Sequence, residues 1–432
     1  MTESQTKVCQ NCHGSFAIEP EDFAFYEKID VPAPTWCPEC RLQRRLAFGI
    51  NRALYKRKCD MCGKMTMSGY PSDRNMKVYC NLCWWGDGWD GSQYAREYNP
   101  SRPFLEQLKE LISETPQMAL DANYPTLVNS EYVNHSATAK NCYLIFTADE
   151  CENVLYSEYL LHNKDSMDCT MTGGSELCYW LINSGPCYRT FFSEDCENCQ
   201  EVYFSKDCNG CDHCFGCVGL RKKSYHIFNR PYSKEEYSKK LEEFHLDSYR
   251  SVEELKRRVV EFWKTYPHKF AHVLRNTNVT GDYVYSSKNG KDMYVVHEGA
   301  EDCRYCQLMT MPPLKDCYDY SVWGNGAQRV YECMVGGEAI DMVRFSFQAW
   351  PNVRNVEYCY FTMSSSSLFG CANIRNKQHC ILNKQYTKEE YEKLRARIIR
   401  DMDENPYIDR KGRVYKYGEF FPAELSVFAY NE

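Results

Sequence analysis

The sequence has no long hydrophobic run, no large surplus of either charge and no recognisable catalytic signature. No stretch of about 18 apolar residues occurs, so a membrane-spanning helix is not expected. The first residues, MTESQTKVCQ, lack the apolar core of a secretory signal. A soluble, cytoplasmic protein is the resulting expectation. The net charge of −7 argues against nucleic-acid binding over the whole surface, although a local basic patch fits inside such a total. Cysteine numbers 26 of 432 residues, about 6%, below the roughly 8–10% that marks a short secreted disulfide scaffold. In a reducing compartment these cysteines are thiols or metal ligands. With 43% hydrophobic residues, the chain is long enough for about three domains with a sizeable core.

What the sequence does have is an internal duplication. Residues 215–237, FGCVGLRKKSYHIFNRPYSKEEY, recur without a gap as residues 369–391, FGCANIRNKQHCILNKQYTKEEY. Each copy closes a Cys- and Tyr-rich tract. Each also opens a helix: Ser233 with Glu236, and Thr387 with Glu390, have the spacing of a capping box.

Residues 1–98 carry four CxxC pairs: Cys9/Cys12, Cys37/Cys40, Cys59/Cys62 and Cys80/Cys83. Two CxxC knuckles supply the four thiolates of a tetrahedral zinc site, and pairing in chain order predicts two zinc ribbons holding two structural Zn2+ ions. Gly14 and Gly63 follow their knuckles, where a tight turn is needed. Cys9-Gln-Asn-Cys12-His13 also matches a haem-attachment string, and Cys37-Pro-Glu-Cys40 a redox pair. The first would need export, and the second a βαβ setting, neither of which the sequence offers.

The string VCQNCHGSFAIEPEDFAFYEKIDVPAPTWCPECRLQRR resembles the bacterial "probable zinc-ribbon" domain family, with Asp22 where that family tends to carry Glu. The whole layout is similar to large uncharacterised bacterial proteins that join zinc ribbons to Cys-rich repeats. In those the chain continues into further Cys pairs. That resemblance implies that the aromatic tail ending Phe428-Ala-Tyr-Asn-Glu432 is truncated.

Between the ribbons, residues 41–58 contain Arg41, Arg44, Arg45, Arg52, Lys56, Arg57 and Lys58 with no acid among them. Leu42, Leu46, Ile50 and Leu54 fall at four-residue spacing, which predicts a helix with an apolar stripe and basic flanks. Those seven residues are the candidate nucleic-acid contacts, because Arg forks pair bidentately with phosphates. The competing reading is a solvated helix packed between two ribbons. Trp84, Trp85 and Trp89 suit packing around a small ribbon better than base stacking.

A helical connector is expected over 99–139, from the period of FLEQLKELISE. Tracts 140–232 and 283–386 then repeat a turn-and-strand unit every 10–14 residues or so, as in Glu-Asp-Cys196-Glu-Asn-Cys199 and Lys-Asp-Cys317. One such strand cannot bury its own face, and stacking does. The fold class expected is mostly β with helical caps: two four-cysteine ribbons followed by two right-handed β-solenoids, with two units making a coil of about 20–27 residues. A Cys-rich β-sandwich is the rival. Residues 233–282 form the helical linker and cap, and 387–432 the last cap and tail. The tract cysteines read as a buried, reduced ladder. Cys196, Cys199, Cys208, Cys211, Cys214 and Cys217, with His213, are dense enough for a further metal. Asp168, Asp195, Asp207, Asp302 and Asp316, each before a cysteine, read as Asx-turn residues.

The functional expectation is a non-enzymatic zinc-binding scaffold that meets RNA, a ribonucleoprotein or another protein through the basic ribbon region. No membrane partner and no small-molecule substrate is indicated. The alternative is a polysaccharide-acting or carbohydrate-binding solenoid, since 34 tyrosines suit sugar stacking. A thiol redox or metal-storage role is a third.

Overall fold

The computed structural model describes residues 3–49 and 52–428. Both repeat tracts obey one local rule with a period of three. From Ser136 to Cys217 every third residue is buried. With the exception of Pro186, the residue before each of them has a left-handed backbone, as at His135, Thr138 and Asn141 with φ of 49°, 50° and 54°. Left-handed backbone is uncommon outside Gly, Asn and Asp. It turns the chain sharply, so four three-residue sides close one coil. Thr170 accordingly lies beside Ile182, and Thr172 beside Ser184, in parallel register.

The structure is therefore mostly β, a β-solenoid of about 21 turns. Its strands gather into an 11-stranded and a 14-stranded sheet. The expected two-unit coil is corrected: a single repeat unit closes each coil. In the first tract the step from one coil to the next is the spacing of Ser157 and Cys169, which is 12. In the second the step reaches 13 where Gln328 meets Asp341 and 14 where Ala300 meets Leu314. Pairing also begins earlier than composition suggested: isolated bridges at Ala122 and Val128 precede the regular strand from Tyr132 in the first tract, and the second begins at Val273.

So narrow a coil admits one small side chain per side. Between Cys187 and Cys217 the inward residues are Cys, Thr, Ser and Val. Their polar atoms are used. The Ser157 hydroxyl donates to the Leu155 carbonyl (2.7 Å) and accepts from the Cys169 N–H one coil on (3.0 Å); Ser184 and Cys196 repeat the arrangement at 2.9 Å. Thiols donate weakly to nearby carbonyls, as Cys178 does to Glu176 at 3.3 Å. Corners also stack: the side-chain amide of Asn129 donates to Asn141, Asn141 to Asn153 and Asn153 to Asp165 (3.0, 3.0 and 2.7 Å). Asp168, Asp195, Asp207, Asp302 and Asp316 occupy such corners, with φ between 50° and 55°.

The duplicated stretch ends each solenoid. Phe228-Asn229 and Leu382-Asn383 have positive φ at both positions, the geometry of a type I′ turn, and fold the last strand back antiparallel. Asn383 accepts from the Ala372 N–H and donates to the Ala372 carbonyl, each at 2.8 Å, while Asn229 treats Val218 identically at 2.9 Å. One amide side chain thus stands in for the missing next strand and blunts the edge.

Among the described residues, seven α-helices decorate this frame: α1 (Pro20–Lys28), α2 (Pro38–Leu46), α3 (Asn81–Trp85), α4 (Phe104–Glu114), α5 (Lys234–Glu242), α6 (Tyr249–Trp263) and α7 (Lys388–Glu404). Helices α5 and α7 start with the expected capping boxes. Tyr237 of α5 and Leu255, Val259 and Trp263 of α6 cover the end of the first solenoid. The N-terminal region lies on the second solenoid rather than on the first, which follows it in sequence. Phe25 of α1 stacks on Tyr318 (3.8 Å), Trp84 of α3 meets Phe361 (4.6 Å), and Phe104 of α4 meets Phe369 (5.0 Å). A Cβ at Gly370 would come within 2.3 Å of the Phe104 ring. The C-terminal segment completes this core with Phe420 and Phe421 packed on Phe48.

Replacing Asn383 by Ala removes both partners of the Ala372 peptide. We expect a loss of about 1–3 kcal/mol for each polar group left unpaired, measured by urea unfolding, with a similar loss for Asn229→Ala.

Candidate metal centres

In each ribbon a short hairpin ends in one CxxC knuckle, and the second knuckle starts a helix. Strands Gln5–Val8 and Ser15–Ile18 precede Cys37 at the N-cap of α2; strands Tyr55–Lys58 and Met65–Ser68 precede Cys80 at the N-cap of α3. The result is two groups, Cys9/Cys12/Cys37/Cys40 and Cys59/Cys62/Cys80/Cys83, whose sulfurs all lie within 4.8 Å of one another. Cys12 and Cys37 are 3.8 Å apart, and Cys62 and Cys80 are 3.9 Å apart. An ion bonded to four sulfurs at about 2.3 Å in a tetrahedron requires sulfur separations of about 3.8 Å. The residues therefore fit a metal ion, and both groups can hold one.

Surrounding groups favour thiolate at Cys9 and Cys59, whereas burial pushes the thiols of Cys37, Cys40, Cys80 and Cys83 up. The N–H groups of Cys37 and Cys80 donate to the sulfurs of Cys9 (3.3 Å) and Cys59 (3.2 Å), and the Asn11 amide to Cys40 (3.3 Å). Burial works against the charged form of Cys9 and Cys59, yet these backbone donors outweigh it and bring both thiols down to about 7. Among the described residues no other cysteines, Cys196–Cys217 included, bring three or more ligand atoms this close together. They line the narrow coil as buried side chains instead.

The basic stretch departs from its expectation. Helix α2 ends at Leu46, and Tyr55–Lys58 is a strand, while Ile50 lies outside the described residues. The face of α2 that is buried is the cationic one: Arg41, Arg44 and Arg45 are buried and Leu46 is exposed. The cause is a set of carboxylates. Arg41 and Arg45 pair with Asp319 (2.8 and 3.0 Å), and Arg44 with Glu332 (2.7 Å) and Glu419 (2.8 Å). Asp319 and Glu332 are corners of neighbouring coils; Glu419 belongs to the C-terminal segment and also accepts from the Thr35 N–H (2.9 Å). Burial works against the charge on Arg44, but Glu332 and Glu419 hold its guanidinium above the ordinary value. Burial pushes the Glu332 carboxyl up, against the pull of Arg44.

The remaining candidates divide. Arg57 is buried and braces the second ribbon through Asp60 (3.1 Å) and the Met76 carbonyl (3.2 Å). Arg52, Lys56 and Lys58 are exposed, and Arg52 pairs with Glu158. Trp84 and Trp89 are core residues. With Trp85 they surround the Arg375 guanidinium, 4.8–5.6 Å from the three rings. The carboxylate partners and this cage were missed from sequence. Their one signal was an acid set within an apolar strand, as in Tyr-Asp319-Tyr and Tyr-Glu332-Cys.

No family model and no curated protein matches this chain.

Removing one member of a buried, paired set strands its partners. Arg44→Met is expected to cost about 3–5 kcal/mol in chemical unfolding; Lys56→Ala, on the surface, should change stability by no more than about 0.5 kcal/mol.

Proposed function

We propose that the chain is a zinc-dependent, non-enzymatic interaction scaffold. The observation that carries this reading is the inward direction of the ribbon arginines. The ribbons hold the second solenoid and the C-terminal segment in one body, so metal supports the shape of the larger surface. Zinc suits two sets of four sulfurs, as it has no redox chemistry and no geometric preference of its own. The likeness of the first ribbon to bacterial zinc-ribbon domains supports the same choice.

Within this reading an RNA or ribonucleoprotein partner meets the part of the basic stretch that stays exposed. Lys56 and Lys58 lie two apart on one strand and so share a face. Lys64 follows the nearby knuckle, and the exposed Met61, Met65 and Leu82 belong to the same ribbon. A second reading, carbohydrate binding, is favoured by one feature: Tyr132, Tyr143 and Tyr156 form a row along the first solenoid, their rings in tilted and edge-on contact at 5.1 and 5.7 Å, the last two exposed.

Elemental analysis of purified protein should find two zinc ions per chain; iron or no metal would overturn the zinc assignment. Chelation should expose backbone amides in the ribbons and in the second solenoid by hydrogen exchange, while the first solenoid stays protected. In fluorescence anisotropy with single-stranded RNA, Lys56→Glu/Lys58→Glu should weaken binding and flatten its salt dependence. Unchanged binding would remove the RNA partner, and glycan-array binding lost in Tyr143→Ala/Tyr156→Ala would install the second reading.

A further inference from the structure

The ends of the two solenoids differ in what lies under the capping helix: the second has a cavity where the first is filled. Under the first turns of α7 the second solenoid leaves about 280 Å3, lined among others by Arg344, Asn355, Ser367, His379, Tyr391 and Arg395. Asn355, Ser367 and His379 are successive left-handed corners of stacked coils, with φ of 53°, 53° and 54°. At the shared offset of the duplication these positions are Glu201, His213 and Tyr225 in the first copy. There the column is filled. Glu201 pairs with Arg189 (3.0 Å), and the rings of His213, Tyr225 and Tyr237 contact one another at 5.0–6.2 Å. In the second copy the ring at 213 has become a serine, and Leu241 has become Arg395.

The cavity has unused donors. Arg344 is 2% exposed; its terminal nitrogens reach Glu357 (2.9 Å), Asn355 (3.0 Å) and the Ile29 carbonyl (2.8 Å), but its Nε has no partner. The buried Tyr391 hydroxyl has none either, a property it shares with Tyr237, so the guanidinium is what separates the copies. Charge points the same way. The guanidiniums of Arg344 and Arg395 share a single fully buried carboxylate, Glu357, with Arg395 at 2.6 Å. Asp30 and Glu392, the acids on the lining, are exposed at its rim, as is Lys388.

We infer that this cavity binds a small oxyanion, a phosphate or a carboxylate group on a compact molecule. In the buried interior two guanidiniums face one carboxylate, and the free Nε–H of Arg344 can donate to one oxygen of an anion. His379, Ser367 and Asn355 add polar groups along one wall, and the volume limits the ligand to a small one.

The test uses the metal-replete full chain in titration calorimetry with inorganic phosphate and, separately, succinate. Saturable binding of either supports the site, and the preferred anion names the source of the oxyanion. Ser367→Phe restores bulk at a corner geometry that Phe192 and Phe361 already adopt, and should weaken binding at least ten-fold. His379→Ala, at a half-exposed position, should weaken it several-fold with the fold intact by circular dichroism. It keeps the test valid if Ser367→Phe fails to fold. No saturable binding of either anion, or binding that both variants leave unchanged, overturns the proposal.

Discussion

The narrowness of the coil governs the rest of this structure. A left-handed corner at every third residue closes a turn after four short sides, leaving room for one small inward side chain on each. Cysteine, serine, threonine and alanine satisfy that limit, and the serines and cysteines of the first solenoid use backbone partners within their own coil or the next, as Ser157 and Cys178 do. Most aromatic residues are therefore driven to the outside, Tyr320 inside the second solenoid being an exception. Tyr318, Tyr331, Phe345, Phe347, Tyr358 and Phe361 all belong to the second solenoid, and all are buried beneath other parts of the chain. A solenoid whose aromatics point outward needs a cover, and the ribbons, α4 and the C-terminal segment provide it.

The cover is placed by charge. Three arginines of α2 meet three carboxylates at the centre of an otherwise apolar interface. Such a network adds little net stability compared with a hydrophobic replacement, but any other register would strand a buried charge. Asp319 and Glu332 come from adjacent coils, so they fix both which coils the ribbon covers and the angle at which it sits. The four-cysteine group and the ion network are joined, since α2 begins at Cys37, a member of that group, and carries the arginines in its next turns.

Much of this was legible in the residues. The CxxC spacing located both sulfur clusters, because a knuckle is a local structure that needs no tertiary context. The duplicated stretch located both solenoid ends for the same reason: turn, amide plug and capping box lie within a few residues of each other. The coil length was not legible by reading turn-and-strand units. The true period of three is carried by buried inward residues such as Ser157, Leu160, Asn163 and Ser166, which share burial but neither polarity nor size. The fate of the basic stretch was hidden for a different reason. Leu42 and Leu46 give α2 an ordinary apolar stripe, and only acids in the distant second repeat tract and the C-terminal segment decide that the arginine face turns inward.

The in-register stacking of the first solenoid bears on how such a chain can change length. Within its uncovered stretch each coil presents the same backbone to the coils above and below. Gain or loss of one whole coil leaves the parallel backbone pairing of the remaining coils in place. The second solenoid has no such freedom. Inserting a coil between Asp319 and Glu332 would separate the two carboxylates that α2 reads together, so its coil number is fixed by a helix from the far N-terminal end of the chain.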